Sequence, residues 1–292
     1  MAKQNTSLAL SVLTPSMVLM LVFVYGFILF TFYLSFTDSK ILPSYNLVGW
    51  ENYEKLFKLR NWKIALSNLA VFSVLYIVGC TLLGLLLAIF LDQRIRGEGL
   101  IRPIYLYPMA ISFIVTGTAW KWFLDPGIGL ERIVQLWGFE SFSFDWIKNS
   151  RRAIYVVIIA AVWQSSGFVM AMFLAGLRGI STDIMHAARI DGAAGWRLYW
   201  RVVIPQLRLV FLSAFVILAH LAIKSYDLVI ALTGGGLGRA TELPSTFMYS
   251  YTFTRNAMGI GASSAVIMLM MVAAVVVPYL YAEIQRGKNE QR

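Results

Sequence analysis

The fifth apolar stretch of this sequence carries a group of residues unlike its surroundings: His220, Lys224, Ser225, Tyr226 and Asp227. His220 and Lys224 lie four positions apart and Lys224 and Asp227 three, so a helix would put all three on one face. Ionisable side chains inside a hydrocarbon layer are costly and default to a functional reading. The bland alternative is that Lys224 and Asp227 sit near a helix end, reach outward and pair. A second group lies in the fourth apolar stretch: Trp163, Gln164, Ser165, Ser166, Gly167 and Phe168. Hydroxyl and amide groups beside an aromatic face suit a sugar ring. Serine and glycine also let helices pack closely, and for Gly167 that reading is preferred. Other chemistry finds little material. The one cysteine, Cys80, lies in an apolar run and reads as a small buried hydrophobe. With two histidines and no acid cluster, no metal site and no catalytic residue are assigned. The run Gly234-Gly235-Gly236 is no phosphate cradle, because the lysine of a phosphate-binding loop does not follow, and no such loop occurs elsewhere. It reads instead as a flexible outer turn.

The elements that must position these groups are membrane helices. Of 292 residues 59% are hydrophobic and only 14% charged, against about 25% charged in a soluble domain. The excess gathers in blocks of roughly twenty residues, enough to cross a hydrocarbon core about 30 Å thick. Backbone polar groups cannot stay unpaired in lipid, so each block is expected to be helical. A transmembrane β-barrel would need short alternating strands. The expectation is an all-α polytopic membrane protein, one transmembrane domain over residues 1–292. Its six spans fall near 8–36, 66–91, 101–123, 153–177, 209–232 and 260–281, with a kink at Pro108. The first block is too long for a cleaved signal peptide. Membrane surface explains the net charge of +10 without nucleic acid, because no cluster of five or more Lys and Arg occurs. Roughly half of the Lys and Arg fall on each side, which leaves the orientation open by counting alone. The short basic connector near Asp92 and the basic tail favour cytoplasmic termini.

The connector at residues 178–208 is the most informative stretch. Ser181, Thr182 and Asp183 suit a helix N-cap. Ile184, Ala187, Ala188 and Asp191 then share a face. Gly192 can take positive φ and end the helix. Pro205 stands where the next helix begins. By composition this could be an amphipathic helix resting on the membrane. The order of residues is more specific. It resembles the EAA loop of ABC-type import permeases: Ala187, Ala188, Gly192, Val202, Ile204 and Pro205 match at the family's spacing, as does Asp191-Gly192-Ala193, while His186 replaces the family's glutamate. Val48-Gly49-Trp50-Glu51-Asn52-Tyr53, Gly97-Glu98-Gly99-Leu100-Ile101-Arg102 and Trp120-Lys121-Trp122-Phe123-Leu124-Asp125-Pro126 resemble further motifs of the maltose-type subgroup. Thr233-Gly234-Gly235-Gly236 followed by Thr241-Glu242 is similar to its TxGGP loop, with Leu237 in place of proline.

The resemblance implies a type I ABC importer permease fold and a bacterial inner-membrane, multi-pass subunit. It would move substrate by alternating access, with no covalent chemistry of its own. Its implied partners are a second, non-identical permease, two ATPase subunits that use ATP and Mg, and an extracytoplasmic substrate-binding protein. The loop around His186, Ala187, Ala188, Asp191, Gly192, Ala193 and Pro205 would be the coupling helix docked on the ATPase, which sets both termini in the cytoplasm. Gly234, Gly235 and Gly236 would face the binding protein. Helices four and five would line the substrate path, drawing in Trp163, Gln164, Ser165, Phe168, His220, Lys224, Ser225 and Asp227. No cofactor is expected on this chain, and the substrate expected is a sugar. A secondary carrier or channel for a small polar solute is the other class. Such a carrier would usually show inverted repeats or several embedded carboxylates, and the sequence shows neither clearly.

Overall fold

The computed structural model describes residues 12–93, 97–193, 195–236 and 239–290. The expected first-span start near residue 8 and the Leu237 position lie outside them. The described residues are helical throughout apart from loops and one isolated bridge, Thr37 with Leu47.

Four helices are long and apolar enough to cross a membrane alone: α1 (Val12–Leu34), α3 (Arg60–Asp92), α7 (Ala153–Arg178) and α13 (Met258–Glu290). Two further spans are bent pairs. α4 (Glu98–Ala110) and α5 (Phe113–Phe123) meet at 102°, and α9 (Trp196–Gln206) and α10 (Arg208–Ile223) at 67°. Six spans result when each pair counts once. Short helices fill the connections: α2 (Glu51–Lys58), α6 (Leu130–Leu136), α8 (Thr182–Ile190), α11 (Asp227–Thr233) and α12 (Pro244–Tyr249).

Three boundaries differ from expectation. The third span breaks not at Pro108 but at Ile111 and Ser112. Ile111 is extended (φ −86°, ψ 140°), and Ser112 caps the next helix through its hydroxyl and the Val115 N–H. Proline removes a hydrogen bond from the turn around it, and the chain leaves the helix where serine can start a new one. The fifth span stops at Ile223 and restarts at Asp227. The loop after the first span holds α2, an amphipathic helix braced by the Glu51–Lys55 ion pair at 2.6 Å.

The chain forms two compact units. The first comprises residues 1–62 and 247–270. Its centre is the end of α1, where Asn52 donates to the carbonyls of Ser35 (2.9 Å) and Thr37 (2.7 Å) and Ser263 to that of Ser35 (3.2 Å). In the same unit Phe247 stacks on Tyr251 and meets Trp62 at a tilt. The second unit, residues 63–246 and 271–292, is built around α7, whose apolar face is buried from Ala153 to Leu177. Here α4 approaches so closely that a Cβ on Gly167 would strike the Tyr105 carbonyl oxygen. Gly167 is therefore a packing residue.

Replacing Gly167 with leucine is expected to cost about 1–3 kcal/mol through overpacking and to lower the melting temperature in detergent by several degrees. Gly99→Ala, where a Cβ meets open space, should change little. Equal melting of the two variants would contradict the close approach.

Candidate functional site

The unwound residues of the fifth span form the polar centre of the second unit. α10 ends at Ile223, Lys224 caps it, Ser225 and Tyr226 form a non-helical link, and α11 begins at Asp227. Such a break frees backbone groups, which must be satisfied within the protein. The Ser225 carbonyl takes a short hydrogen bond from the Ser245 hydroxyl. The break faces a cavity of about 50 Å³ lined by Lys224, Ser225, Tyr226 and Asp227, with Phe72, Tyr76 and Phe113 opposite. Phe72 and Tyr76 stack at 5.4 Å. Tyr76 donates to the Ser165 Oγ at 2.7 Å, which links α7 to the cavity wall.

Of the fifth-span candidates, Lys224, Ser225 and Asp227 thus come together. Lys224 and Asp227 form no ion pair with each other within 4.0 Å. His220 is half-buried one turn earlier and does not line the cavity. The fourth-span candidates separate around α7. Gln164 is buried and donates at 2.7 Å to the Ile111 carbonyl, freed by the break between α4 and α5. Ser165 meets Tyr76. Phe168 is half-buried. Trp163, 42% exposed, belongs instead to a large apolar cavity of 1350 Å³. Phe72 and Tyr76 were not singled out from the sequence. Two aromatics four apart in an apolar block are one pair among many in a chain with 14% aromatics.

The second feature is α8. Ser181 Oγ accepts from the Asp183 N–H, capping the first turn. At the other end Gly192 takes φ +82°, its N–H bonds Arg189 O (3.1 Å), and Ala193 N–H bonds Ala188 O (2.9 Å). This pair of bonds is a Schellman ending, so the helix is fixed at both ends. The shared face read from the sequence is divided. Ala188 turns inward and is buried, whereas Ile184, His186, Ala187, Asp191 and Gly192 are exposed. Ile190, 86% exposed, projects beyond them and was not among the sequence candidates. Ala193 is half-buried and Pro205 exposed within α9.

The glycine run closes α11. Gly234, Gly235 and Gly236 all have positive φ (60°, 96° and 74°), a region only glycine enters without penalty. The turn is anchored rather than slack. Thr233 and Thr241 hydroxyls meet at 2.7 Å, and Asn68 donates to the carbonyls of Ala240 (3.1 Å) and Glu242 (3.0 Å). Glu242 is buried beside Arg239, whose Nη1 lies 3.4 Å from its carboxylate. Burial pushes the Glu242 carboxyl above its ordinary value, and Arg239 offsets only part of that.

The family of binding-protein-dependent transport system inner membrane components matches residues 80–289. The chain belongs to this family. The permease is 40% identical over 271 residues to a probable ABC transporter permease of Pyrococcus horikoshii, covering 92% of this chain and 93% of that one. It is 36% identical to the xylose/arabinose import permease of Haloferax volcanii, covering 92% and 86%, and 28% identical to the trehalose/maltose transport system permease of Thermococcus litoralis, covering 95% and 94%. Its fold is shared with a bacterial ABC transporter for the import of alginate, at a TM-score of 0.79 and 19% identity over 93% of this chain and 94% of that one. The permease is accordingly a multi-pass inner-membrane protein, and its relatives are permease components, which are not themselves enzymes.

The loop carboxyl generates a pH dependence. With its value raised on folding, Glu242 binds more protons in the native than in the unfolded state over the window above about pH 4.3. Stability then falls as pH rises through that window. Glu242→Gln should remove this component, so the melting temperature of the variant should depend less on pH there. Identical pH profiles of the two proteins would argue against a buried, perturbed carboxyl.

Proposed function

We propose that this chain is the transmembrane permease subunit of an ATP-driven, binding-protein-dependent sugar importer. The carrying observation is α8: a short helix, capped at both ends, exposing Ala187, Asp191 and Ile190 in the connector that resembles the family's coupling loop. A rigid exposed helix of this kind can transmit a push from a partner because it cannot fray. The partner proposed is an ATPase subunit, two per transporter, using ATP and Mg that this chain does not bind. A second, non-identical permease and an extracytoplasmic binding protein complete the assembly. The solved relative in complex with a pentasaccharide-bound periplasmic protein supports the latter. With α8 docked on an ATPase, both termini are cytoplasmic, and Gly234, Gly235 and Gly236 face the binding protein.

A sugar is the substrate class because the named relatives carry xylose and arabinose or trehalose and maltose, and because the centre combines hydroxyl, carboxylate and cation with the stacked Phe72 and Tyr76. At about 50 Å³ the cavity has room for a few waters, not a sugar ring. The path is therefore closed at this point, and passage requires the unwound link 224–226 and α5 to part. Alternating access consists of that parting, driven through α8.

Two outcomes test this reading. Gly192→Val forces a β-branched residue to positive φ. Membrane insertion should persist, while binding-protein-stimulated ATP hydrolysis and uptake fall several-fold. Unchanged hydrolysis and uptake would remove α8 from the coupling role. Ser225→Ala and Asp227→Ala each delete a hydrogen-bonding group at the cavity, worth about 0.5–1.5 kcal/mol. Initial uptake rates at low sugar should drop about two- to tenfold. Wild-type kinetics in both variants would count against substrate contact.

A further inference from the structure

The connector that holds α8 continues into α9, and α9 is a different kind of helix. α8 and its ending expose two acids, Asp183 and Asp191. From Gly192 to Tyr226 the sequence holds no acid, while Arg197, Arg201 and Arg208 fall within that stretch. Trp196 and Trp200 are 64% and 62% exposed, and their rings stack at 6.0 Å. Leu198 and Leu207 turn inward and are buried. The exposed face of α9 therefore joins two indoles to two guanidiniums, since Arg197 and Arg201 are exposed and each follows a tryptophan.

The placement of α9 sets its depth. The 16 residues of α10 alone rise roughly 24 Å at 1.5 Å per residue, most of a hydrocarbon core of about 30 Å. α9 is bent 67° from α10, so with α10 crossing the bilayer α9 lies near the membrane plane. Two contacts fix its level. The Tyr199 hydroxyl lies beside Asp92 and Gln93, where α3 ends. Near the end of α7, a Cβ on Gly176 would lie 2.9 Å from the Leu207 side chain. α9 is thus held against the ends of two spans, at the boundary between hydrocarbon and water.

That boundary is where tryptophan concentrates, and basic residues on an amphipathic helix there are drawn to anionic lipid. Bulk water is a poor neighbour for two adjacent indoles. A zwitterionic headgroup offers the arginines no net charge. Among the described residues neither Arg197 nor Arg201 has a carboxylate within 4.0 Å. A lipid phosphate can accept two parallel hydrogen bonds from a guanidinium.

We infer that α9 binds anionic phospholipid headgroups of the leaflet on the α8 side, with phosphates at Arg197 and Arg201 and the two indoles among the upper acyl chains. This binding pins the link between α8 and the fifth span to the membrane surface. It leaves α8 itself free to meet a partner, and it holds whichever partner that is.

The test uses the full-length chain, with the subunits that co-purify, in phosphatidylcholine nanodiscs. A limiting fraction of photoactivatable phosphatidylglycerol or phosphatidylcholine is added, each with a diazirine high on one acyl chain. Mass spectrometry reads the adduct on residues 196–208. The wild type should give several-fold more adduct from phosphatidylglycerol, with the excess shrinking at high salt. Arg197→Ala and Arg201→Ala should each lower the phosphatidylglycerol yield about three- to fivefold. Arg197→Lys and Arg201→Lys should keep most of it. Equal yields from the two lipids in the wild type overturn the proposal, as does a full phosphatidylglycerol yield when both arginines are alanine. So does efficient cross-linking of Trp200→benzoylphenylalanine to an ATPase subunit rather than to lipid, since the face would then be a protein contact. If the alanine variants do not fold, the wild-type lipid preference and its salt dependence decide the matter alone.

Discussion

Inside a membrane every backbone carbonyl released from a helix must find a donor within the protein, and the arrangement of this chain follows from how it meets that demand. Its spans are interrupted at Ile111 and Ser112 and again at residues 224–226. Each interruption is matched by a side chain from elsewhere in the second unit: Gln164 for Ile111, Ser245 for Ser225. At the end of α1, within the first unit, Asn52 and Ser263 do the same for Ser35 and Thr37. These four buried side chains are the counterpart of broken helices. Removing one would leave a carbonyl bare, at about 1–3 kcal/mol.

This division explains why a polar cluster in an apolar stretch is an ambiguous signal. Residues 163–168 look like one site in sequence, but a helix spreads consecutive positions about 100° apart. Gln164 serves the backbone, Ser165 reaches the polar centre through Tyr76, Gly167 makes room for α4, and Trp163 faces away into apolar space. The two sides of α7 therefore belong to different surroundings, one closed and polar, the other open and greasy.

The spans themselves were legible because hydrophobic length is a one-dimensional property. Residues 153–177 were expected and Ala153–Arg178 is observed. The capped helix at Ser181 to Gly192 was legible for a similar reason, since N-cap and positive-φ preferences act within a few residues. What escaped depends on distance in space. The break at 224–226 needs Ser245, twenty residues away, to be tolerable. The stacked Phe72 and Tyr76 gain meaning only from α10 and α11 across the cavity. The burial of Ala188 beside exposed Ala187 is likewise decided by what lies behind α8.

Between α8 and the membrane the chain passes through residues Tyr199–Val203, a turn wound as a π-helix. Such a turn holds one residue more than the α-helix around it. Releasing that residue would carry the segment ahead of it about 1.5 Å along the axis and about 100° around it, without stretching any bond. Trp196 and Trp200, stacked at 6.0 Å and largely exposed, lie on that segment and would turn with it. The link thus stores slack chiefly in rotation, with a small part in length. A change in this turn would therefore show at α10 chiefly as rotation.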